Sequence, residues 1–323
     1  MNKLKENPFV KKVGINRIML VLVLLLMYLF FCLVTKWKFV GLSRLVSSLN
    51  YAYFLGFLSL GVTFVIATGG IDFSIGPVMF CCALISGYCL NSYGVPMGVA
   101  LVMAVGVGLL FGIFNGFLVS YLSVAPFIVS MASMNIAKGL ASVFTKTQSV
   151  SWPQLANGGW YRQLVKIGNI PVGLFILLFI ALICGIIMSK TKAGRYILCL
   201  GSNSEAARLS GINVKKYCML AYVICGVLVG IASIFFVGAY TTVQPGYGDQ
   251  YNNEAIAGAV MGGTPMAGGV ASIAGTVLGV FVISLLQEGI LAMGFTKDYQ
   301  LILTGIIVIV AVYIDIAARR RKN

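Results

Sequence analysis

A glycine-rich block with one carboxylate separates two long apolar runs: Gly69-Gly70-Ile71-Asp72-Phe73-Ser74-Ile75-Gly76-Pro77. Paired glycines release the backbone from helix, and Asp72 or Ser74 can cap the helix that follows. In that interpretation Asp72 is purely structural. Alternatively, a carboxylate so close to runs that could cross a membrane is costly there and marks a pathway or a gate. The sequence leaves both roles open for the candidates in this block, which are Gly69, Gly70, Asp72 and Ser74.

A second glycine-rich block spans residues 262–269 and is followed by a face of small residues: Ala271, Ala274, Gly275 and Gly279. Small residues let membrane helices approach closely, so packing explains most of these positions. A broken helix at membrane depth is also tolerated where it lines a cavity. On that second interpretation the pathway candidates also include Gly262, Gly263, Thr264 and the nearby carboxylate Glu254.

A third block, residues 201–212, lies in a basic loop and has the pattern of a very short helix. Ser204 is the predicted N-cap, and Gly211 is the predicted stop. Because about seven residues do not hold a helix alone in water, a neighbouring surface must support it. We favour docking to a partner over a plain connector. The candidate coupling residues are Ser204, Glu205, Ala206, Ala207, Arg208, Leu209, Ser210 and Gly211.

Several catalytic chemistries are excluded by residue types that the sequence lacks. Histidine is absent from all 323 residues, which removes imidazole metal sites and Ser-His-Asp or Cys-His catalysis. No G-x-x-x-x-G-K-[ST] segment occurs, so ATP is not bound through a P-loop. The eight cysteines form no C-x-x-C pair, and most lie in apolar runs as expected for buried thiols. We predict no catalytic residues, no metal and no cofactor.

The elements that must position these blocks are membrane helices. Hydrophobic residues make up 59% of the chain and charged residues 10%, with a mean hydropathy of +0.98. Soluble domains contain about 25% charged residues, and a chain this poor in charge cannot cover a water-facing surface. We therefore predict an all-α, polytopic membrane protein. The first apolar run, residues 18–34, lacks an A-x-A-like cleavage site and is interpreted as an uncleaved span.

Ten apolar segments are candidate spans: 18–34, 45–68, 75–90, 97–121, 126–145, 170–188, 217–239, 252–266, 270–291 and 299–317. Ten spans place both termini on one side of the membrane. That side carries 15 Lys and Arg residues, against 7 on the other. The positive-inside rule then predicts cytosolic termini and a cytosolic loop at 189–216. The net charge of +15 thus reports orientation, and no nucleic-acid partner is expected.

These blocks resemble those of the sugar-importer permeases of the ATP-binding-cassette class, in the branch of ribose, xylose, galactoside and galactofuranose permeases. The resemblance covers essentially the whole chain and keeps the order of the matching blocks, which are residues 69–76, 194–196 with 201–212, and 262–269. Its departures are mild. They are Phe73 and Ile75, where Leu and Val are commoner, and Pro265-Met266 in place of Ser-Leu.

The resemblance implies a permease subunit of about ten spans in the bacterial plasma (inner) membrane. Residues 1–17 would be a cytosolic segment, 18–317 the permease domain with its coupling loop at 189–216, and 318–323 a cytosolic basic tail. The implied partners are cassette ATPases, an external sugar-binding protein, a second permease copy or a related permease, and membrane lipid. Residues 204–211 would be the coupling element seated in the ATPase.

The expected substrate is a monosaccharide or a related polyhydroxyl compound. A nucleoside or autoinducer-type furanosyl compound is an alternative substrate. In a different class, an ion-coupled secondary carrier fits the number of spans but leaves the basic cytosolic helix unexplained. A membrane enzyme fits worst, because no pairing of a nucleophile with a base is present.

Overall fold

The computed structural model describes residues 15–168, 170–296, 298–306, 309 and 313. Helices dominate it, with these bounds: α1 Ile15–Val34, α2 Leu42–Ala67, α3 Ile75–Tyr93, α4 Met97–Ser120, α5 Pro126–Phe144, α6 Val172–Lys190, α7 Lys192–Ser202, α8 Ser204–Leu209, α9 Val214–Ala239, α10 Asp249–Met261 and α11 Ile273–Ala292. Residues 298–306 are also helical. The prediction of an all-α polytopic protein is confirmed.

Eight of these helices are long and apolar enough to cross a membrane, namely α1 to α6, α9 and α11. Such helices satisfy every backbone hydrogen bond internally, as a lipid environment requires. The only strands in the described part of the chain are β1, Val150–Ser151, and β2, Thr242–Val243, which pair in antiparallel register. This short pair ties the loop after α5 to the end of α9.

The segment predicted to span at 252–266 is only partly helical in the structure. Its helix α10 has 13 residues, or about 20 Å of helix, which is shorter than the roughly 30 Å of a bilayer core. The chain then breaks at residues 262–272 before α11 begins. Of the last predicted span, 299–317, the helical residues 298–306 belong to the described part, and most of the remainder lies outside it.

The core is built around α2, which is buried continuously from Ala52 to Ala67. Helix α9 packs against α2 on one side and against α4 on the other. The contact of α9 with α4 depends on glycine, because a Cβ at Gly226 would lie 2.3 Å from the carbonyl oxygen of Gly108. Small residues thus allow the backbones to approach closely, as in other membrane helix pairs.

The outer helices present large apolar side chains to the surroundings. Val102 of α4 is 71% exposed and Val143 of α5 is 80% exposed. Helix α1 is fixed to the bundle where the ring of Phe31 covers Gly289 of α11, leaving only 2.3 Å for a Cβ at that glycine. An apolar outer surface of this kind is stable in lipid and agrees with an integral membrane protein.

Three glycine-containing segments meet at one end of the bundle, where α2 and α7 end. A Cβ at Gly201 would lie 2.0 Å from the carbonyl oxygen of Ala67 and 2.4 Å from the nitrogen of Gly269. The Gly269 N–H donates to the same Ala67 oxygen at 3.1 Å. A Cβ at Gly268 would lie 2.6 Å from the nitrogen of Gly69. We call these five residues the glycine junction.

Candidate pathway and coupling sites

Asp72 lies in the loop between α2 and α3 and is only 4% exposed. Its Oδ1 accepts hydrogen bonds from the Ser74 backbone nitrogen at 2.8 Å and from Ser74 Oγ at 2.6 Å. Its Oδ2 accepts from Asn115 Nδ2 of α4 at 3.4 Å. The carboxylate thus closes an Asx-type turn immediately before α3 and joins that turn to α4.

The polar network around Asp72 extends through two residues that the sequence did not single out. Asn115 Nδ2 also donates to Ser74 Oγ at 3.0 Å, and Ser133 of α5 donates to Asn115 Oδ1. The side chains of this network, which are Asp72, Ser74, Asn115 and Ser133, are all buried. Buried polar networks are stable when each member is bonded, and this one fixes the start of α3 against α4 and α5. Asn115 and Ser133 look like isolated polar residues in apolar runs, so only their contacts reveal them.

The first turn of α3 is capped from another helix. Asn252 Oδ1 of α10 accepts from the Gly76 backbone nitrogen at 2.7 Å, and its Nδ2 donates to the Phe73 carbonyl at 2.6 Å. The expectation that Asp72 or Ser74 caps α3 is therefore wrong. Ser74 occupies the N-cap position, but its side chain makes no capping bond to the helix. Asp72 instead binds the N-cap residue itself.

The N-terminus of α10 can supply this cap because two glycines let the chains touch. A Cβ at Gly76 would lie 2.1 Å from the carbonyl oxygen of Gly248, and Gly248 itself has a φ of 121°. Both positions therefore require glycine: one for space, the other for its backbone conformation. The contact places the start of α10 beside the start of α3.

Glu254 belongs to a second buried network, further along α10. It is 3% exposed, and its Oε2 accepts from the Tyr51 hydroxyl of α2. Its Oε1 accepts from Gln287 Nε2 of α11 at 2.9 Å. The same Gln287 nitrogen donates to Thr304 Oγ1 at 3.1 Å. Glu254 therefore connects three helical segments to α10 without an ion pair in the described part of the chain.

A charged pair at the first turn of α10 completes the attachment of this helix. Lys138 of α5 and Asp249 form a salt bridge at 2.5 Å. Asp249 thus binds α5, and Asn252 binds the start of α3. Glu254 binds both α2 and α11. Lys138 lies inside the predicted span 126–145. The partner lies more than a hundred residues away, and only the tertiary structure identifies it.

The candidates Gly262, Gly263 and Thr264 make turn and packing contacts. A Cβ at Gly275 of α11 would lie 1.8 Å from the Gly262 carbonyl oxygen, so these backbones touch. Gly263 has a φ of 94°. Thr264 Oγ1 accepts from the Ser272 nitrogen at 3.1 Å, which closes the loop before α11. The structure therefore gives this block the packing role that the sequence favoured for most of its glycines.

The candidates of the first block also occupy a closed region. Gly69 has a φ of 83°, and a Cβ at Gly70 would lie 2.9 Å from the Tyr222 hydroxyl. A cavity of about 10 Å³ lies beside Asp72 and Asn115. That volume accepts about one water molecule. The region around Asp72 is therefore closed to a larger solute in this conformation.

Helix α8 covers most of the predicted coupling residues, but its cap differs from the prediction. Asn203 Oδ1 accepts from the Ala206 nitrogen at 2.9 Å, so Asn203 is the N-cap and Ser204 is the first helical residue. The predicted stop is confirmed, since Gly211 has a φ of 80°. Gly211 and Ile212 donate to the carbonyls of Arg208 and Ala207 at 3.0 and 3.1 Å. These two bonds define a Schellman motif.

Glu205 and Arg208 form an exposed ion pair one turn apart, with N–O distances of 2.6 and 3.0 Å. The hydrogen bond and positive charge of Arg208 lower the pKa of Glu205 below its usual value. Both side chains are exposed to solvent, so the contribution of the pair to stability is screened by water. Its geometry nevertheless completes a helix that is capped at both ends.

The two faces of α8 differ in their exposure. Ala207 is only 5% exposed, on a helix that packs against the chain's own α7 and α9, so its side chain is not available to a partner. Leu209 is 74% exposed. Beside α8, a groove of about 550 Å³ is lined by Ser123 and Ala125 of the α4–α5 turn and by Arg208. Leu209 and this groove form the accessible surface at α8.

The described part of the chain is thus a bundle of membrane helices that is interrupted at two glycine blocks and bears a short exposed helix. The model of the family described as "Branched-chain amino acid transport system / permease component" matches residues 44–312. The chain belongs to this family. It is accordingly a multi-pass membrane permease component of ATP-binding-cassette importers, in which a separate subunit hydrolyses ATP and a substrate-binding protein is a further partner.

Individual relatives match over most of their length. The ribose import permease RbsC of Escherichia coli strain K12 is 31% identical over 283 residues, covering 86% of this chain and 87% of the relative. The RbsC of Bacillus subtilis strain 168 is 32% identical, covering 80% of each chain. The fructose import permease FrcC of Rhizobium meliloti is 29% identical, covering 91% of this chain and 83% of the relative. No solved structure matches the chain.

Proposed function

We propose that this chain is the permease subunit of a monosaccharide importer, in which residues 204–211 dock the ATPase and transmit its motion. Relatives named for ribose and fructose import support the substrate class. A furanosyl compound such as a nucleoside is the second substrate candidate. The ion-coupled carrier is set aside, because family membership already supplies ATP as the energy source.

The contact of α7 with the glycine junction carries the mechanical part of this proposal. Helix α8 follows α7 directly, because Asn203 ends one helix and begins the other. Its N–H donates to the Cys199 carbonyl of α7 at 3.0 Å, and its Oδ1 accepts from the Ala206 nitrogen of α8 at 2.9 Å. At the other side of that joint, Gly201 touches the backbone at Ala67 and Gly269. A push on α8 is therefore delivered to the end of α2 and to the second glycine block without an intervening flexible side chain.

The loop that begins at the glycine junction leads to Asp72. Gly69 is a member of the junction, and Asp72 holds the turn that orients α3. Displacement of the junction would shift this turn relative to Asn115 of α4. We therefore assign Asp72 and Ser74 a positioning role at the inner part of the pathway, with Gly69 and Gly70 as its flexible backbone.

Helix α10 provides the opposite boundary of the proposed pathway. It ends at the second glycine block, and its side chains hold α2, α3, α5 and α11. A short helix bonded to four neighbours can tilt as a unit when its C-terminal break moves. Glu254 then maintains the attachment to Tyr51 and Gln287, while Gly262, Gly263 and Thr264 form the hinge.

The charge distribution orients the proposed machine. In the layout of ten crossings, the segment that contains α10 returns the chain from the end of β2 to the glycine junction. That layout puts 15 Lys and Arg residues on one side and 7 on the other, so both termini and the loop at 189–216 face the cytosol of a bacterial cell. This places α8 on the side where ATP is available. Two cassette ATPases, an external sugar-binding protein and a second permease copy or a related permease complete the proposed assembly.

The decisive experiment combines Leu209→Asp with purification and uptake. The permease is co-expressed with its cassette ATPase and binding protein, and ATP-dependent uptake of labelled ribose and fructose is measured in vesicles. The variant puts a charge on the exposed apolar contact of α8, so we expect ATPase co-purification and uptake to be lost together. Tyr93→Asp places the same charge on a 70% exposed residue at the opposite end and is the matched control.

The outcomes separate the parts of the proposal. Wild-type ATPase association in Leu209→Asp would show that α8 is not the docking element. Failure of the wild-type complex to take up either sugar, with uptake of a nucleoside instead, would replace the substrate class and leave the coupling mechanism intact.

A further inference from the structure

A groove between α6 and α11 opens on the outer face of the bundle and ends beside the first turn of α1. It encloses about 720 Å³, which is within the usual range of ligand sites. Its walls are apolar along their length and are formed by Leu178, Leu182, Ile186, Val277, Leu278 and Phe281. An apolar occupant suits such walls better than a polar transported solute does.

The depth of the groove comes from small residues. Gly185 of α6 and Ala274 of α11 both line it. The nearest atom to a Cβ at Gly185 would be Ile273 Cγ2, at 4.0 Å, and Ala274 is exposed. The small residues of α11 therefore have two different surroundings. Gly275 and Gly279 pack against the backbone of the preceding segment, whereas Ala274 leaves space that no described residue fills.

One end of the groove is positively charged. Arg17 of α1 and Lys190 of α6 line it there, and none of the lining residues is acidic. Arg195 Nη1 donates to the Lys190 carbonyl at 3.2 Å, which brings a third cation to the same end. Within the described part of the chain, neither Arg17 nor Lys190 forms a salt bridge. The end is therefore suited to an anion.

We propose that this groove binds one anionic phospholipid, with its phosphate between Arg17 and Lys190 and an acyl chain between α6 and α11. The apolar lining that α6 contributes runs from Leu178 to Met188, which is about 15 Å of helix, and Lys190 follows at the basic end. One leaflet of hydrocarbon is about 15 Å thick, so the apolar walls match the length of an acyl chain. Basic sites between membrane helices are known to hold anionic headgroups.

Charge argues against a second copy of the chain as the occupant. The chain carries a net charge of +15, and a copy placed here would bring further positive charge to a basic end. An anionic lipid neutralises that end instead. The site lies at the end where α7 and the glycine junction lie, so a bound lipid would brace α6 and α11 beside the coupling helix.

The test is native mass spectrometry of the purified full-length permease, titrated with phosphatidylglycerol or phosphatidylcholine. We expect one tightly bound phosphatidylglycerol per chain and weaker binding of phosphatidylcholine. Each cation near an anionic lipid contributes about fivefold in binding, so Arg17→Gln with Lys190→Gln should weaken phosphatidylglycerol binding about 30-fold. Lys36→Gln with Lys38→Gln removes the same charge at the opposite end and should leave it unchanged.

A second variant tests the apolar part of the groove independently of charge. Ala274→Trp fills the space between α6 and α11 and should abolish binding with both cations intact. Equal binding of the two lipids, or unchanged binding in the Arg17 and Lys190 double variant, would overturn the proposal. A disulfide between copies through Ala274→Cys would also overturn it, because a second permease would then occupy the groove.

Discussion

Gly201→Ala is the most direct perturbation of the route from α8 to the pathway. The added methyl would lie 2.0 Å from the carbonyl oxygen of Ala67 and 2.4 Å from the nitrogen of Gly269. Cβ contacts below 3.0 Å essentially never occur, so the backbones must separate by about 1 Å or more. Both contacts are backbone atoms, and no side-chain rotation can relieve them. We expect the glycine junction to open.

The effect on stability should be small compared with the effect on transport. Overpacking of this kind costs about 1–3 kcal/mol. Replacing glycine by alanine within helix α7 returns roughly 1 kcal/mol of helix propensity. The net loss is then about 0–2 kcal/mol, which lowers the apparent Tm of a chain this size by a few degrees at most. The displaced contact, however, is the one that links α7 to α2.

Three measurements on the purified complex test this reasoning: apparent Tm, ATPase co-purification and ATP-dependent uptake. In Gly201→Ala we expect retained ATPase binding, since the surface of α8 is unchanged, together with uptake reduced by tenfold or more. Gly139→Ala of α5 is the matched control, because a Cβ there has no neighbour within 4 Å. It should transport at the wild-type rate.

Wild-type uptake by Gly201→Ala would refute the mechanical role of the glycine junction. Loss of ATPase binding together with uptake would also contradict it, because the methyl would then act on the shape of α8 and not on the junction. A large fall in Tm would show that the backbones cannot separate as a unit.

Three further expectations follow from the hydrogen bonds and exposure of single residues. Asp72→Asn keeps an oxygen that can accept from Ser74 and should retain most uptake, whereas Asp72→Ala leaves buried donors unpaired and should cost about 1–3 kcal/mol. An Asn variant that inserts normally but does not transport would instead assign the carboxylate charge to gating. Asn252→Ala removes the cap of α3 and should cost about 1–2 kcal/mol by thermal unfolding; an unchanged Tm would mean that water replaces the cap. The exposed native thiol of Cys199 should react with an impermeant reagent only after permeabilisation, whereas a thiol introduced at exposed Asn157 should react in intact cells. Labelling of Cys199 in intact cells would reverse the proposed orientation.

Much of the local structure of residues 204–211 could be predicted because its determinants are local. A glycine that must adopt a positive φ, small residues and a nearby ion pair are all visible within ten residues of sequence. The exact cap was missed, since Asn203 and Ser204 are equally good candidates until the backbone bond to Ala206 is seen. The orientation of Ala207 was also missed, because it depends on where α7 and α9 lie.

For the pathway candidates, the residues themselves could be predicted but their partners could not. Asp72 and Glu254 stand out in the sequence because carboxylates are rare in apolar runs. Their partners Asn115 and Tyr51 do not, because Asn and Tyr occur in membrane helices for many reasons. The cap of α3 comes from Asn252, some 176 residues away in the chain. No local pattern encodes such a pairing, and packing alone brings the two elements together.

The sequence by itself determined that this protein lies in a membrane, that it is all-helical and which family it belongs to. Those properties depend on composition, on the length of apolar runs and on short blocks such as residues 69–76, all of which can be recognised without coordinates. Only the tertiary structure decided that Gly201, Ala67 and Gly269 form one junction and that the segment 252–266 contains a helix of only 13 residues. The physical reason is that a glycine allows another backbone to approach closely but does not determine which backbone does so. The partner is selected by the whole bundle when its helices pack.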